Sequence, residues 1–266
     1  MNLPNLFASQ PEAFVISSVK FKKTIDQQLA DKLTDYLQST YKHLSKLGLH
    51  KIMIQISGEI NSIVTGVLLK QTLRENTVAM IFDFGTAQTN KLIEICNYLG
   101  LEAFILKRGM AYQTEASAYR LHTSSGLKKF YQRFINYHLF IQADNMKTAL
   151  VDTLDKSERL ADTRPEGFYG CMMPFYSLYK SELYDLARFL NIPPQFINIT
   201  NYQELPYPDI TLSWDKLDPI LFLLTEKQLK PEEISEQFKI DLPWLKRLKS
   251  HIDKHSLKTT VSQFII

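Results

Sequence analysis

The hexapeptide SGEINS at 57–62 sets two hydroxyls, a glycine and a carboxamide between the apolar run KIMIQI and NSIVTGVLLKQTL, a segment of helical character. A strand that turns into a helix through Ser and Gly offers hydroxyls and backbone N–H groups to an anion, because the first N–H groups of a helix have no partner within it. Phosphate is the anion that suits such a turn. The same loop carries Glu59, a carboxylate that opposes an incoming phosphate unless a cation stands between them. Taken alone, the hexapeptide is better explained as an ordinary strand-to-helix turn with Ser57 as its cap.

Other reactive side chains carry less. Cys96 and Cys171 stand in unrelated contexts, which suggests neither a disulfide framework nor a thiolate metal site and fits a reducing compartment. His251 and His255 have the spacing of a helical metal pair but lack an accompanying carboxylate motif, so a solvated helix face is the simpler expectation. The stretch LKPEEISEQFKIDLPWLKRLKSHIDKH (229–255) has the cadence of a helix-turn-helix with Lys246, Arg247 and Lys249 on its second helix. Against nucleic-acid binding stands the overall charge: 31 basic and 28 acidic side chains leave +3.

The elements that must position the loop follow from hydrophobic periodicity. With 45% apolar and 22% charged residues the chain has ordinary globular composition. Residues 25–47 repeat apolar side chains at spacings of three and four, predicting an amphipathic helix that Gly48 ends. Strands are expected near 51–56 and 77–82, in LEAFILK (101–107) and in TALVDT (148–153), with helices at 61–73, 88–100, 127–146 and 177–191 between and after them. The segment 108–126 has weak periodicity and is expected to be a connection. Strands alternating with helices predict an α/β fold, a parallel sheet with helices on both faces, with SGEINS at its carboxyl edge. From about 220 the chain is expected to be helical, and 1–266 is read as a single domain. No apolar run approaches the roughly 18 residues of a membrane span, so a soluble, cytoplasmic protein is expected.

With these residues in view, the chain resembles the ammonia-dependent NAD+ synthetases of the N-type ATP pyrophosphatase superfamily. SGEINS stands where that family has Ser-Gly-Gly-Ile-Asp-Ser. The resemblance runs on without a gap from Arg133 to Glu158, through MPFYSLYKSELYDLARFLNIP, to LPYPDITLSWDKLDPIL. It implies a Rossmann-like sheet, a homodimer with the helix near 129–146 across the contact, and ATP and Mg2+ as cofactors. It further implies adenylation of the nicotinate carboxylate of deamido-NAD+, or a related acid, followed by displacement of AMP by ammonia.

Carried over residue by residue, the resemblance implies that Ser57, Gly58, Glu59, Asn61 and Ser62, with Thr153 and Lys156, meet the nucleotide. It makes Lys180 the phosphate-facing catalytic lysine and Glu158 the magnesium carboxylate. Arg133, Cys171 and Lys258 fall at substrate-contacting positions. Several of these depart from the family pattern. Glu59 replaces a glycine, Asn61 the loop aspartate, Cys171 an aspartate that helps hold the dinucleotide, and Asp152 and Leu154 two glycines around Thr153. Ile135 replaces a second helix arginine. Two readings of Glu59 stay open, a repulsive carboxylate or a magnesium ligand in place of the lost aspartate. The chain is accordingly expected to be a ligase of weakened or altered activity; the alternative is a catalytically degenerate homologue that binds nucleotide or dimerises.

Overall fold

In the computed structural model the described residues are 16, 18–161, 170–197 and 212–259; the side chains of residues 124, 125 and 255–259 lie outside the description. The elements run α1 (Gln27–Lys46), β1 (Lys51–Gln55), α2 (Ile60–Thr72), β2 (Thr77–Asp83), α3 (Gln88–Leu99), β3 (Glu102–Lys107), α4 (Gly109–Ala118), α5 (Ser124–Met146), β4 (Thr148–Val151), α6 (Lys156–Leu160), α7 (Lys180–Phe189), α8 (Pro194–Ile197), α9 (Trp214–Thr225), α10 (Pro231–Phe238) and α11 (Leu242–Thr259). A 3-10 turn, Arg74–Asn76, leads into β2.

The strands form one parallel sheet in the order β3-β2-β1-β4. Successive side chains of a strand point to opposite faces, and both faces here are apolar. Ile52, Ile54, Ala79, Ile81, Ala149 and Val151 pack on one side with α1, α2, α3 and α7. Met53, Met80, Phe82 and Leu150 pack on the other with Ile135, Leu139 and Ala143 of α5. A third cluster, built from α9, α10 and α11 around Trp214 and Trp244, includes Tyr179 and Ala161. The helical C-terminal portion is therefore packed onto the end of the sheet that carries α6 and α7.

The order of strands decides where a ligand fits. The chain moves outward from β1 to β2 and β3, then returns to place β4 on the other side of β1. The loops after β1 and β4 therefore flank the point where the strand order reverses, the crevice that open α/β sheets use for ligands.

Three expectations are corrected. Part of the segment read as a connection, 108–126, is helical: α4 forms because Tyr112 packs edge-on against Phe84 and Phe134 and stacks on Phe130, with ring centroids 5.4–5.6 Å apart. Tertiary contact overrides weak periodicity there. The fourth strand ends at Val151 rather than Thr153, because the Asp152 N–H bonds to Met172 O at 2.9 Å and the Asp152 carboxylate accepts from Leu154 N–H at 2.8 Å. Helix α7 begins at Lys180 rather than Ser177. Residues 198–211, which include the LPYPDI stretch, lie outside the described residues.

Candidate functional site

At the end of β1 the backbone turns through Gly58, whose φ of +84° is a left-handed conformation that side chains with a Cβ adopt at a cost. Glu59, extended at ψ 151°, becomes the N-cap of α2, and its own side chain makes no cap bond. Ser62 closes the turn instead. Its Oγ donates to Glu59 O at 2.8 Å and lies 3.3 Å from both the N and the Oγ of Ser57. The two hydroxyls thus hold the loop shape, and the opening N–H groups of α2 lie at the carboxyl edge of the sheet.

Asn61 points inward and is fully buried. Its Nδ2 donates to Thr153 O at 2.8 Å, Asp155 Oδ2 at 2.9 Å and Glu158 Oε2 at 3.2 Å. Its Oδ1 accepts from Lys180 Nζ at 2.7 Å. The loop after β1, the turn after β4 and the start of α7 are joined by this one carboxamide.

Around it the charges are dense. Lys180 Nζ lies 3.0 Å from Asp155 Oδ2 and 3.0 Å from Glu158 Oε1, with its side chain only 1% exposed. Asp155 caps α6: it accepts from Glu158 N–H at 2.8 Å, while Glu158 Oε2 accepts from Asp155 N–H at 3.3 Å, a reciprocal capping box. Burial raises the Asp155 carboxyl above its usual range, against the opposing pull of Lys180. The underside is held by Asp218 of α9, which accepts from Ser157 Oγ at 2.6 Å and Ser181 N–H at 2.8 Å. Ser157 Oγ in turn accepts from Lys180 N–H at 2.7 Å. Burial pushes the Asp218 carboxyl up to about 7.

The residues expected from sequence divide. Ser57, Gly58, Glu59, Asn61, Ser62, Thr153, Glu158 and Lys180 are brought together. Lys156 turns away, to Glu226 Oε1 at 2.7 Å and over the Tyr179 ring at 4.7 Å. Arg133 sits on an exposed position of α5, and Ile135 belongs to the core beneath the sheet. Cys171 is exposed and lines a cavity of about 810 Å³ with Arg159, Tyr36, Tyr176 and Lys249; no residue of the 57–62 loop lines it. The Lys258 side chain lies outside the described residues.

Sequence reading missed Asp155, Asp218, Lys128 and Tyr131. Lys128 and Tyr131 of α5 stand within electrostatic reach of Glu59, and Lys128 also of Glu158. Desolvation lowers the Lys128 ammonium despite its exposed surface, and both carboxylates oppose that shift. Burial foremost, then Glu59, pushes the Tyr131 hydroxyl up to about 12. For Asp155 a signal was present, since Asp-x-x-Glu is capping-box spacing.

The helix-turn-helix-like stretch folds as α10 and α11, and of the histidine pair His251 alone has a described side chain. Lys246 pairs with Glu232 at 2.8 Å and Lys249 with Asp253, while Trp244, Leu245, Leu248 and Ile252 are buried in the third cluster. His251 Nε2 lies 3.2 Å from Ala161 O. Among the described residues no helix is long and apolar enough to cross a membrane, and no cluster of three His, Cys, Asp or Glu side chains is arranged to hold a metal.

Comparison with known proteins agrees with the geometry. Residues 29–262 match the family model described as NAD synthase. The chain is similar to an NH(3)-dependent NAD(+) synthetase of Campylobacter jejuni subsp. doylei, 27% identical over 252 residues that cover 90% of this chain and 98% of the relative. In fold it is similar to the NH3-dependent NAD synthetase of Campylobacter jejuni subsp. jejuni NCTC 11168, with a TM-score of 0.72, 24% identity, and coverage of 91% of this chain and all of that one. It is also similar in fold to NMN synthetase from Francisella tularensis, with a TM-score of 0.65, 16% identity, and coverage of 92% and 99%.

Proposed function

Because this chain belongs to the NAD synthase family, we propose that it is an ATP-dependent ligase that converts a nicotinate carboxylate, that of deamido-NAD+, into the amide with ammonia. One observation carries this reading: the 57–62 loop at the strand-order switch point is tied through Asn61 to the Thr153 turn and to Lys180. A carboxylate oxygen attacks the α-phosphorus of ATP, the bond to the bridging oxygen breaks, and pyrophosphate leaves. Ammonia then attacks the acyl carbon, the acyl–oxygen bond breaks, and AMP leaves as the nitrogen sheds a proton.

Such a reaction asks the protein mainly for position and charge. The Gly58 turn and the opening amides of α2 would face the phosphates. Lys128, exposed and within electrostatic reach of Glu59 and Glu158, would supply cationic charge where the buried Lys180 does not reach solvent. Magnesium enters as the counter-ion of ATP. The Asp155 and Glu158 oxygens do not offer it an open set of ligands, being engaged by Lys180, Asn61 and backbone N–H groups.

The acceptor is tested by offering deamido-NAD+ and nicotinate mononucleotide separately with ATP, magnesium and ammonium, and identifying the amide by mass. Amide from deamido-NAD+ supports the reading; amide from the mononucleotide alone replaces the acceptor. A second reading, a nucleotide-binding protein without turnover, is favoured by the 1% exposure of Lys180. It predicts that ATP raises Tm while neither acid is amidated. A homodimer through α5 belongs to the same proposal, and sedimentation tests it.

A further inference from the structure

Every carboxylate oxygen at the centre of the site faces a protein donor. Asp155 Oδ1 accepts from Glu158 N–H at 2.8 Å, and Oδ2 from Asn61 Nδ2 at 2.9 Å and Lys180 Nζ at 3.0 Å. Glu158 Oε1 accepts from Lys180 Nζ at 3.0 Å, and Oε2 from Asn61 Nδ2 at 3.2 Å and Asp155 N–H at 3.3 Å. The surroundings fix the orientation of the Asn61 amide. Three oxygens require its nitrogen on one side and an ammonium requires its oxygen on the other; the flipped amide would oppose like with like at all four contacts.

We propose that Asn61 makes Lys180 the resident counter-charge of the Asp155–Glu158 pair, so that this pair holds a lysine where a divalent cation would otherwise sit. The carboxamide acts as a positioning group: its N–H2 fills the space between the two carboxylates, and its oxygen fixes the ammonium. A hard cation such as magnesium needs an octahedral shell of oxygens at roughly 2.0–2.1 Å, and at this centre a nitrogen donor blocks it. An aspartate at 61 has the same size but no donor. It would set a third carboxylate against the other two and turn the cluster toward a metal. This inference goes beyond the proposed reaction and stands on the network alone.

Manganese(II) serves as the probe. The full chain without nucleotide is titrated with Mn2+, and binding is read from the paramagnetic resonance of the free ion and from thermal unfolding. The wild type is expected to show no saturable binding that depends on Glu158, whereas Asn61→Asp acquires a site and gains roughly 5 °C in Tm at saturation. Wild-type binding abolished by Glu158→Gln overturns the proposal, as does a folded Asn61→Asp chain that is indifferent to Mn2+. Should circular dichroism find Asn61→Asp unfolded without metal, the same chain is followed as Mn2+ is added: refolding upholds the proposal and its absence overturns it. No arm contains ATP or acid, so these outcomes are independent of whether the chain makes an amide.

Discussion

Lys180 Nζ lies 2.7 Å from Asn61 Oδ1, a contact between residues 119 positions apart that joins the start of α7 to the first turn of α2. It places the only formal positive charge among Asp155, Glu158 and Lys180 against both carboxylates. Removing one partner of a buried ionic cluster leaves charge uncompensated, which costs more than the cluster itself contributes. Lys180→Met is therefore expected to lower the unfolding free energy by about 3–5 kcal/mol. Urea denaturation measures it, and a loss under about 1 kcal/mol would mean that the ammonium is solvated rather than buried.

The Asp218 carboxyl provides a pH test. Its folded pKa, about 7, stands above the unfolded value near 4. The folded chain therefore binds the proton more tightly, and this contribution to stability is full below about pH 4 and lost as pH rises through about 7. Asp218→Asn is expected to flatten the fall in stability across that window. A slope between pH 4 and 7 unchanged from wild type, measured by denaturant titration, would rule out the shift.

Much of the fold was legible, and the resemblance brought Asn61, Thr153, Glu158 and Lys180 to one site, but what these side chains do to one another was not legible, for one physical reason. KIMIQ, TVAMIFD and TALV announce buried parallel strands by being apolar at successive positions, and Gly48 and Gly100 mark helix ends locally. What Asn61 and Lys180 do depends on a contact across the fold. So does the direction of Lys156, set by Glu226 seventy residues on. Helix α4 escaped because its aromatic partners, Phe84 and Phe130, come from other elements. The capping spacing of Asp155 and Glu158 was readable; their shared lysine was not.

The loop conformation predicts the effect of a methyl group. Gly58 at φ +84° is replaced by Ala only with left-handed strain, on the order of 1–2 kcal/mol. Gly58→Ala is expected to lose that stability and to weaken ATP binding together, as read by thermal unfolding and calorimetry. Loss of stability with unchanged ATP affinity would separate the loop from the nucleotide.

Glu59 faces the same test from the side of charge. Removing a carboxylate near an incoming phosphate relieves repulsion of about 1 kcal/mol at 4 Å in water-like surroundings, so Glu59→Gln should tighten ATP binding severalfold. If Glu59 instead holds the magnesium of the nucleotide, the substitution weakens binding and the weakening vanishes when magnesium is omitted. Calorimetry with and without magnesium distinguishes the two.

The most direct measurement of the central claim is product stoichiometry. The purified chain is incubated with ATP, magnesium, deamido-NAD+ and 15N-labelled ammonium, and AMP, pyrophosphate and the labelled amide are quantified together by mass spectrometry. The account predicts one AMP and one pyrophosphate for each NAD+, with the label in the amide nitrogen. A folded chain that binds ATP yet releases neither AMP nor labelled amide would contradict it.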